Sequence, residues 1–259
     1  MRITIIGCGT IGGALARHFS KNHKVTLFDQ ITQTAEHLAA EIHAELSHHI
    51  LKAASHAEVI ILAVKPQDLS DLASSIGALC RPNQLIISSL AGVEMQTLRK
   101  HFPQAPLLRM MPNLPMTQGA GVIGLVESSE LSGTQKEEVS ELFKGLGLLL
   151  WMPENKIDAL TALSGSGPAF LLVILESMIE AGISMGLTAA AALDISLKTM
   201  EGTVALVRGE KKHPAEIKWK ITSPGGTTIT GLEQMERSGV RTGITQTFLA
   251  AYAKAKQLG

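Results

Sequence analysis

Three stretches of this sequence place residue types that chemistry needs at spacings that chemistry needs. The first is Gly7-Cys8-Gly9-Thr10-Ile11-Gly12, between an apolar run and a helical pattern. In that context the first glycine makes a tight turn, the second lets the backbone approach a pyrophosphate, and the third lets helix and strand pack closely. The N-terminus of the helix that follows faces the negative charge. Asp29 closes the next apolar run, about 20 residues on, where a carboxylate can accept a hydrogen bond from a ribose 2′-hydroxyl. The pattern alone is weak; between a strand and a helix it is a dinucleotide fingerprint.

The second group comprises Ala63-Val64-Lys65-Pro66-Gln67, Ser88-Ser89-Leu90-Ala91-Gly92 and Met111-Pro112-Asn113, each ending an apolar run. Ligands of open α/β sheets sit outside the carboxyl ends of the strands, so these ends can converge on one site. Lys65 reads equally as a ligand contact and as a solvated loop lysine. The third group is Leu163-Ser164-Gly165-Ser166-Gly167-Pro168-Ala169 together with Ile221-Thr222-Ser223-Pro224-Gly225-Gly226-Thr227-Thr228-Ile229-Thr230-Gly231. In the former, glycine followed by proline reads as a helix start whose small residues leave free N–H groups for an anion. In the latter, Thr230 and Glu233 fit a capping box and Pro-Gly fits a turn, which makes a helix-to-helix connection. The N–H groups around Gly225–Thr228 also fit an anion-holding nest ahead of a helix.

The elements that must position these residues follow from the apolar pattern. Strands are expected at Arg2–Ile6, Lys24–Phe28, Val59–Val64, Leu85–Ser89, Leu107–Met111, Gly121–Val126 and Leu148–Trp151. Helices are expected between most of them, as at Ile11–Ser20 and Ser132–Lys144. The chain therefore opens with a βαβ unit, and the rhythm predicts an α/β fold with a mostly parallel sheet. After Trp151-Met152-Pro153 only helices are expected: Ala169–Ser184, Thr188–Arg208, Gly231–Arg237 and Gly243–Gln257. This puts a domain boundary near residue 152, with a dinucleotide-binding domain over 1–152 and a helical domain over 153–259. Ala169–Ile179 is apolar nearly all round, which predicts burial on every side with help from a partner subunit.

Composition excludes several classes of partner. The 259 residues carry 23 Lys plus Arg against 23 Asp plus Glu, and aromatics are 3%. That leaves no footprint for nucleic acid or an anionic membrane, and a small-molecule partner is expected. Two cysteines, Cys8 and Cys80, make no disulfide framework and suit a reducing cytoplasm. Gly7, Gly9, Gly12 and Gly13 interrupt the apolar core a secretory signal needs. No apolar run is expected to reach the ~18 residues of a bilayer span; the richest, Ala169–Ile179, is interrupted by Glu176. His37, His43, His48, His49 and His56 lack carboxylates at ligand spacing, so no metal is expected. Gly165-Ser166-Gly167 lacks the strand-to-helix elbow of a hydrolase, and Lys211-Lys212 beside His213-Pro214 reads as a solvated turn.

The chain resembles the pyrroline-5-carboxylate reductases over nearly its whole length. Gly7–Gly12, Ala63-Val64-Lys65-Pro66, Ala91-Gly92-Val93, Met111-Pro112-Asn113, Leu163–Ala169 and Ser223–Thr228 carry the resemblance, the last two most specifically. It implies a Rossmann-type domain followed by an all-α domain that dimerises by intertwining, often within larger rings. It also implies reduction of 1-pyrroline-5-carboxylate to L-proline, the last step of proline biosynthesis, by hydride from NADPH or NADH. Gly7, Cys8, Gly9, Thr10, Ile11 and Gly12 would hold the pyrophosphate. Ala63, Val64, Lys65, Pro66, Ser89, Leu90, Ala91 and Asn113 would line the ribose and nicotinamide side. Ser223, Gly225, Gly226, Thr227 and Thr228 would hold the imine carboxylate, reaching the cofactor of the partner subunit. Thr228 would hydrogen-bond the ring nitrogen, and Glu154 falls where the family has an acidic residue near the site.

Two departures stand out. Many relatives carry Leu-Lys-Asp before the SPGG loop, where this chain has Ile217-Lys218-Trp219 followed by Lys220. The second strand ends in Asp29-Gln30 instead of small or basic residues, which favours NADH over NADPH. Two rivals share the cofactor domain. One is a reductase of another cyclic imine or of a 2-hydroxyacid, with Lys198 as the nearest general acid. The other is a nucleotide-sensing protein without turnover.

Overall fold

A computed structural model describes residues 1–257. The strands are β1 (Arg2–Ile6), β2 (Lys24–Phe28), β3 (Glu45–Leu46), β4 (Val59–Leu62), β5 (Leu85–Ser88), β6 (Leu107–Pro112), β7 (Gly121–Val126) and β8 (Gly147–Met152). The helices between them are α1 (Thr10–Phe19), α2 (Thr32–Ile42), α3 (Ile50–Ser55), α4 (Leu69–Ile76), α5 (Met95–His101) and α6 (Gly133–Leu142). The eight strands form one sheet in the order β3-β2-β1-β4-β5-β6-β7-β8. Every neighbouring pair is parallel except β6 and β7.

The central strands read as unbroken apolar runs because helices cover both faces of the sheet. Alternate side chains then go to opposite layers. Ile3, Ile5, Ile61, Ile87 and Leu108 belong to one core, whereas Ile6, Ile60, Leu62, Ile86 and Leu107 belong to the other. The sheet of the expected fold is present, with the two-residue β3 as an addition. A strand so short carries no periodic signal in the sequence.

The chain divides into two compact units, Met1–Gly165 with the C-terminal turn from Tyr252, and Ser166–Ala251. The second consists of α8 (Gly167–Ser184), α9 (Ala189–Glu210), α10 (Pro214–Ile221), α11 (Thr227–Arg237) and most of α12 (Val240–Ala255), after the short α7 (Ile157–Leu160) in the first. Within it α8 and α9 pack closely: a Cβ on Gly182 would lie 2.8 Å from that of Ala192. Helix α10 is not expected from the sequence. Lys211 ends α9 in the left-handed conformation, and His213 caps α10 by accepting from the Ala215 N–H at 3.2 Å, ahead of Pro214.

The structure corrects two sequence expectations. Gly167-Pro168 opens α8 but not a separate helix: residues Glu154–Ser184 form one continuous helical run, π-helical over Thr161–Ser166. The N–H groups of that stretch are spent inside a helix, not free for an anion. That run is also long and apolar enough to cross a membrane by length and composition, which a count of unbroken apolar residues does not register. Within the single chain Leu171, Leu172 and Val173 are 56%, 63% and 61% exposed, so the burial expected of Ala169–Ile179 needs the partner subunit.

Candidate active site

The strand order reverses between β2-β1 and β4-β5, the point at which open α/β sheets leave a crevice. A cavity of about 590 Å³ opens there. Gly7, Gly9, Asp29, Ala63, Val64 and Lys65 line it, so the ends of β1, β2 and β4 meet there, whereas Ser88–Gly92 and Met111–Asn113, expected to converge on the same site, are not among its lining residues. Ile31, Thr34, Asp68 and Asp71 also line it, and sequence reasoning does not single them out; Gln30 and Gln67, next to the expected residues, line it too.

The glycine loop divides its labour by space. Gly7 has φ +97°, and a Cβ there would come within 2.5 Å of the Ala63 carbonyl oxygen. A Cβ on Gly12 would stand 1.8 Å from the Gly7 carbonyl oxygen, so these two glycines are required by packing. Gly9 differs. A Cβ on it would meet nothing within 4 Å, so its backbone fronts open space. The first helical bond of α1 runs from the Gly13 N–H to the Gly9 carbonyl at 2.7 Å. The N–H groups of Thr10, Ile11 and Gly12 therefore lack partners inside the helix and suit an anion. These features fit a dinucleotide pyrophosphate.

Asp29 is fixed beside the loop. One carboxylate oxygen accepts the Cys8 N–H at 2.6 Å and the other accepts the Ile31 N–H at 2.9 Å. Cys8 itself is buried, and burial pushes its thiol up to about 12, with the Asp29 charge adding to the effect. It is a packing residue and not a nucleophile. Ile11 packs partly against the core, and Pro66 opens a short 3-10 turn after the exposed Lys65. Ser89 anchors the next loop to β4: its N–H and its hydroxyl both donate to the Leu62 carbonyl, at 3.0 Å and 2.9 Å. The Leu90 side chain sits in the core, leaving Ala91 as the exposed tip.

Two residues expected to contact ligands are held by bonds within the chain. Asn113 is buried, and both ends of its amide are bonded within the chain: Nδ2 donates to the Ser164 carbonyl at 2.9 Å and Oδ1 accepts the Val122 N–H at 2.7 Å. Glu154 is likewise committed, with Oε1 accepting from Arg109 Nη1 at 2.8 Å and from the Met95 N–H at 2.8 Å. Sequence reasoning misses its partner Arg109, although a lone cation in the apolar strand Leu107–Pro112 signals a buried pair.

In the helical unit, Gly225 has φ +67° and Gly226 precedes α11 with no side-chain cap. The Thr230–Glu233 capping box does not form. Helix α11 starts at Thr227, four residues before the expected Gly231, and the Thr230 hydroxyl donates back to the Gly226 carbonyl at 3.2 Å. Ser223, Gly225, Thr227 and Thr228 are exposed and Gly226 is half-buried. The first N–H groups of α11 thus emerge beside two threonine hydroxyls, a combination able to receive a carboxylate and a second polar atom. Among the described residues, no group of three or more His, Cys, Asp and Glu side chains could hold a metal.

Comparison with known proteins bears on both units. Residues 154–258 match the family model for pyrroline-5-carboxylate reductase dimerisation, and residues 2–92 match that for NADP oxidoreductase, coenzyme F420-dependent. The pyrroline-5-carboxylate reductase of Aquifex aeolicus is 32% identical over 262 aligned residues, covering 100% of this chain and 97% of the relative. The chain belongs to the pyrroline-5-carboxylate reductase family. Another member, from Synechocystis sp., is 42% identical over 209 residues, or 80% of this chain and 78% of the relative. The solved structure of a Plasmodium falciparum pyrroline carboxylate reductase with NADP bound superimposes with a TM-score of 0.87 at 25% identity, over 100% of this chain and 98% of that one. The dimerisation match falls on the helices that carry the exposed apolar face, which makes this reductase-family chain homo-oligomeric.

Proposed function

We propose that this protein reduces 1-pyrroline-5-carboxylate to L-proline with NADPH or NADH, as a cytoplasmic homo-oligomer. The observation that carries the reading is the 32% identity to a pyrroline-5-carboxylate reductase along the whole chain. Residues 1–152 would serve the cofactor and 153–259 the substrate and the second subunit, which would cover Leu171, Leu172 and Val173. Sedimentation at micromolar concentration should then find a dimer or larger, and an active monomer would refute this cover.

When bound, the nicotinamide supplies a hydride for the imine carbon, and the electron pair of the C=N bond ends on nitrogen with a proton. The chain has to orient, anchor and exclude water. Gly7–Gly12 and the start of α1 would hold the pyrophosphate, and Asp29 would accept from the ribose hydroxyls. Ala63–Pro66 and Ser89–Ala91 would line the remaining cofactor side. Ser223, Gly225, Gly226 and Thr227 would hold the imine carboxylate, with the Thr228 hydroxyl bonded to the ring nitrogen. A protonated imine is already electrophilic, so no strong general acid is required. Lys198, the acid that a 2-hydroxyacid reductase would need, lies on the surface of α9 and pairs with Glu201 at 3.2 Å.

The test is loss of nicotinamide absorbance at 340 nm, with the cyclic imine compared against larger imines and 2-oxoacids. Oxidation dependent on the five-membered imine carboxylate is expected. Cofactor binding without turnover on any of them would favour the nucleotide-sensing alternative.

A further inference from the structure

The site geometry leaves one buried charge without a role in substrate or cofactor contact. Arg109 is 4% exposed, in the middle of β6, on the sheet face it shares with Leu107. A buried guanidinium needs a partner, and Glu154 supplies it at 2.8 Å. The same Glu154 oxygen reaches a third element, accepting the N–H of Met95 at 2.8 Å. Met95 is the first residue of α5, whose preceding residue Glu94 makes no side-chain cap. Glu154 thus acts as the missing cap from a distance of 59 residues in sequence.

What this cap holds is the β5–α5 connection, Ser89–Glu94. At its start, Ser89 is bonded twice to the Leu62 carbonyl. Leu90 anchors its middle in the core, and Ser88, at the root, pairs in register with Arg109. Gly92 then turns at φ +76° to bring the chain into α5. At the far end Val93 is buried in the core, its N–H donates to the Leu90 carbonyl at 3.4 Å, and the Glu94 carbonyl accepts the Leu98 N–H at 3.0 Å; Glu154 adds the side-chain bond that holds this end to β6, through the Met95 N–H and Arg109. We infer that Glu154, held by Arg109, is a positioning residue that fixes the Ser89–Gly92 loop for the cofactor, and not a ligand of the substrate.

This rests on the assignment of that loop to the cofactor side. A loop fixed at both ends loses less freedom when a ligand settles on it, so freeing one end weakens binding without touching any ligand atom. The effect should appear in the dissociation constant of the binary cofactor complex and not in the KM for the imine measured at saturating cofactor.

The test removes the single hydrogen bond. Met95→Pro deletes the donor while keeping the Arg109–Glu154 pair, and proline is well accommodated at a first helical position after an extended residue; Glu94 has φ −78° and ψ 158°. Met95→Ala controls for loss of the side chain. Titration of NADH should give a dissociation constant about five- to ten-fold higher for Met95→Pro than for Met95→Ala, the loss of one charge-assisted hydrogen bond. Glu154→Ala should show the same rise with an imine KM within about two-fold of wild type, whereas Glu154→Gln, which keeps an acceptor for the N–H, should recover most of the loss. Equal constants for the two Met95 variants would overturn the proposal. So would a Glu154→Ala enzyme with unchanged NADH affinity and a raised imine KM, which would make Glu154 a substrate ligand. A wild-type protein that binds no dinucleotide would instead sink the underlying assignment of the cavity.

Discussion

Asp29→Ser should shift the balance between the two cofactors. The carboxylate stands at the end of β2 on the wall of the cavity, together with Asp68 and Asp71, and Lys65 is the one Lys or Arg side chain on that wall among the described residues. A 2′-phosphate carries between about −1.5 and −2 charges near neutral pH. At ~4 Å and an effective dielectric near 20, each pair of unit charges repels by about 4 kcal/mol before screening. Salt and solvent remove most of this, but Asp29 cannot swing away without giving up the N–H groups of Cys8 and Ile31. A residual of about 1–2 kcal/mol, roughly ten-fold in affinity, should favour NADH in the wild type. The serine variant should bind NADPH about ten-fold tighter relative to NADH, with some loss toward both because the Cys8 tether is gone. Steady-state kcat/KM with each cofactor is the assay. A wild-type preference for NADPH that persists unchanged in Asp29→Ser would refute the placement of this carboxylate against the ribose.

Gly9→Val should abolish dinucleotide binding and leave the thermal midpoint nearly unchanged, because its side chain would enter open space at φ −68° and not the core; a normal titration curve would remove the pyrophosphate from this loop. Thr228→Ala should lower kcat/KM for the imine by about ten- to a hundred-fold, or ~1.4–3 kcal/mol, with cofactor affinity unchanged; wild-type kinetics would reduce the SPGGTT loop to a helix connection. Burial pushes Cys8 up to about 12 and Cys80 up to about 11, against an ordinary 9.0. Unfolded thiols then ionise first, so the stability these groups contribute is complete below about pH 9 and declines as pH rises toward 11–12. The fall in melting temperature between about pH 8 and pH 10.5 should therefore be shallower in Cys8→Ala/Cys80→Ala than in wild type, and equal slopes would contradict this.

Local rules make much of the cofactor unit legible in the amino-acid sequence. Gly7, Gly9 and Gly12 act through space that a Cβ would or would not fill, and the apolar strands announce a sheet covered on both faces. Glu154 and Asn113 mislead for a common reason. Each stands next to a plausible ligand site in sequence, but its true partner is distant: Arg109 for one, the Ser164 carbonyl for the other. Arg109 is within reach of sequence reasoning, since a charge inside Leu107–Pro112 demands a partner. The Asn113 contact depends on a carbonyl 51 residues away, in a π-helical stretch that sequence periodicity does not show. The helical unit is harder still. Its apolar residues show helical content, yet Leu171–Val173 face outward in one chain, and what covers them belongs to an assembly that periodicity does not describe.

The most direct test of the account is the path of the hydride. Incubation of the protein with the five-membered imine carboxylate and NADH deuterated at C4, on the transferred face, should give L-proline carrying one deuterium at C5, in step with NADH consumed. Mass spectrometry of the product reads this in one experiment. Proline without deuterium, or oxidised cofactor without proline, would contradict direct reduction of the imine in this site.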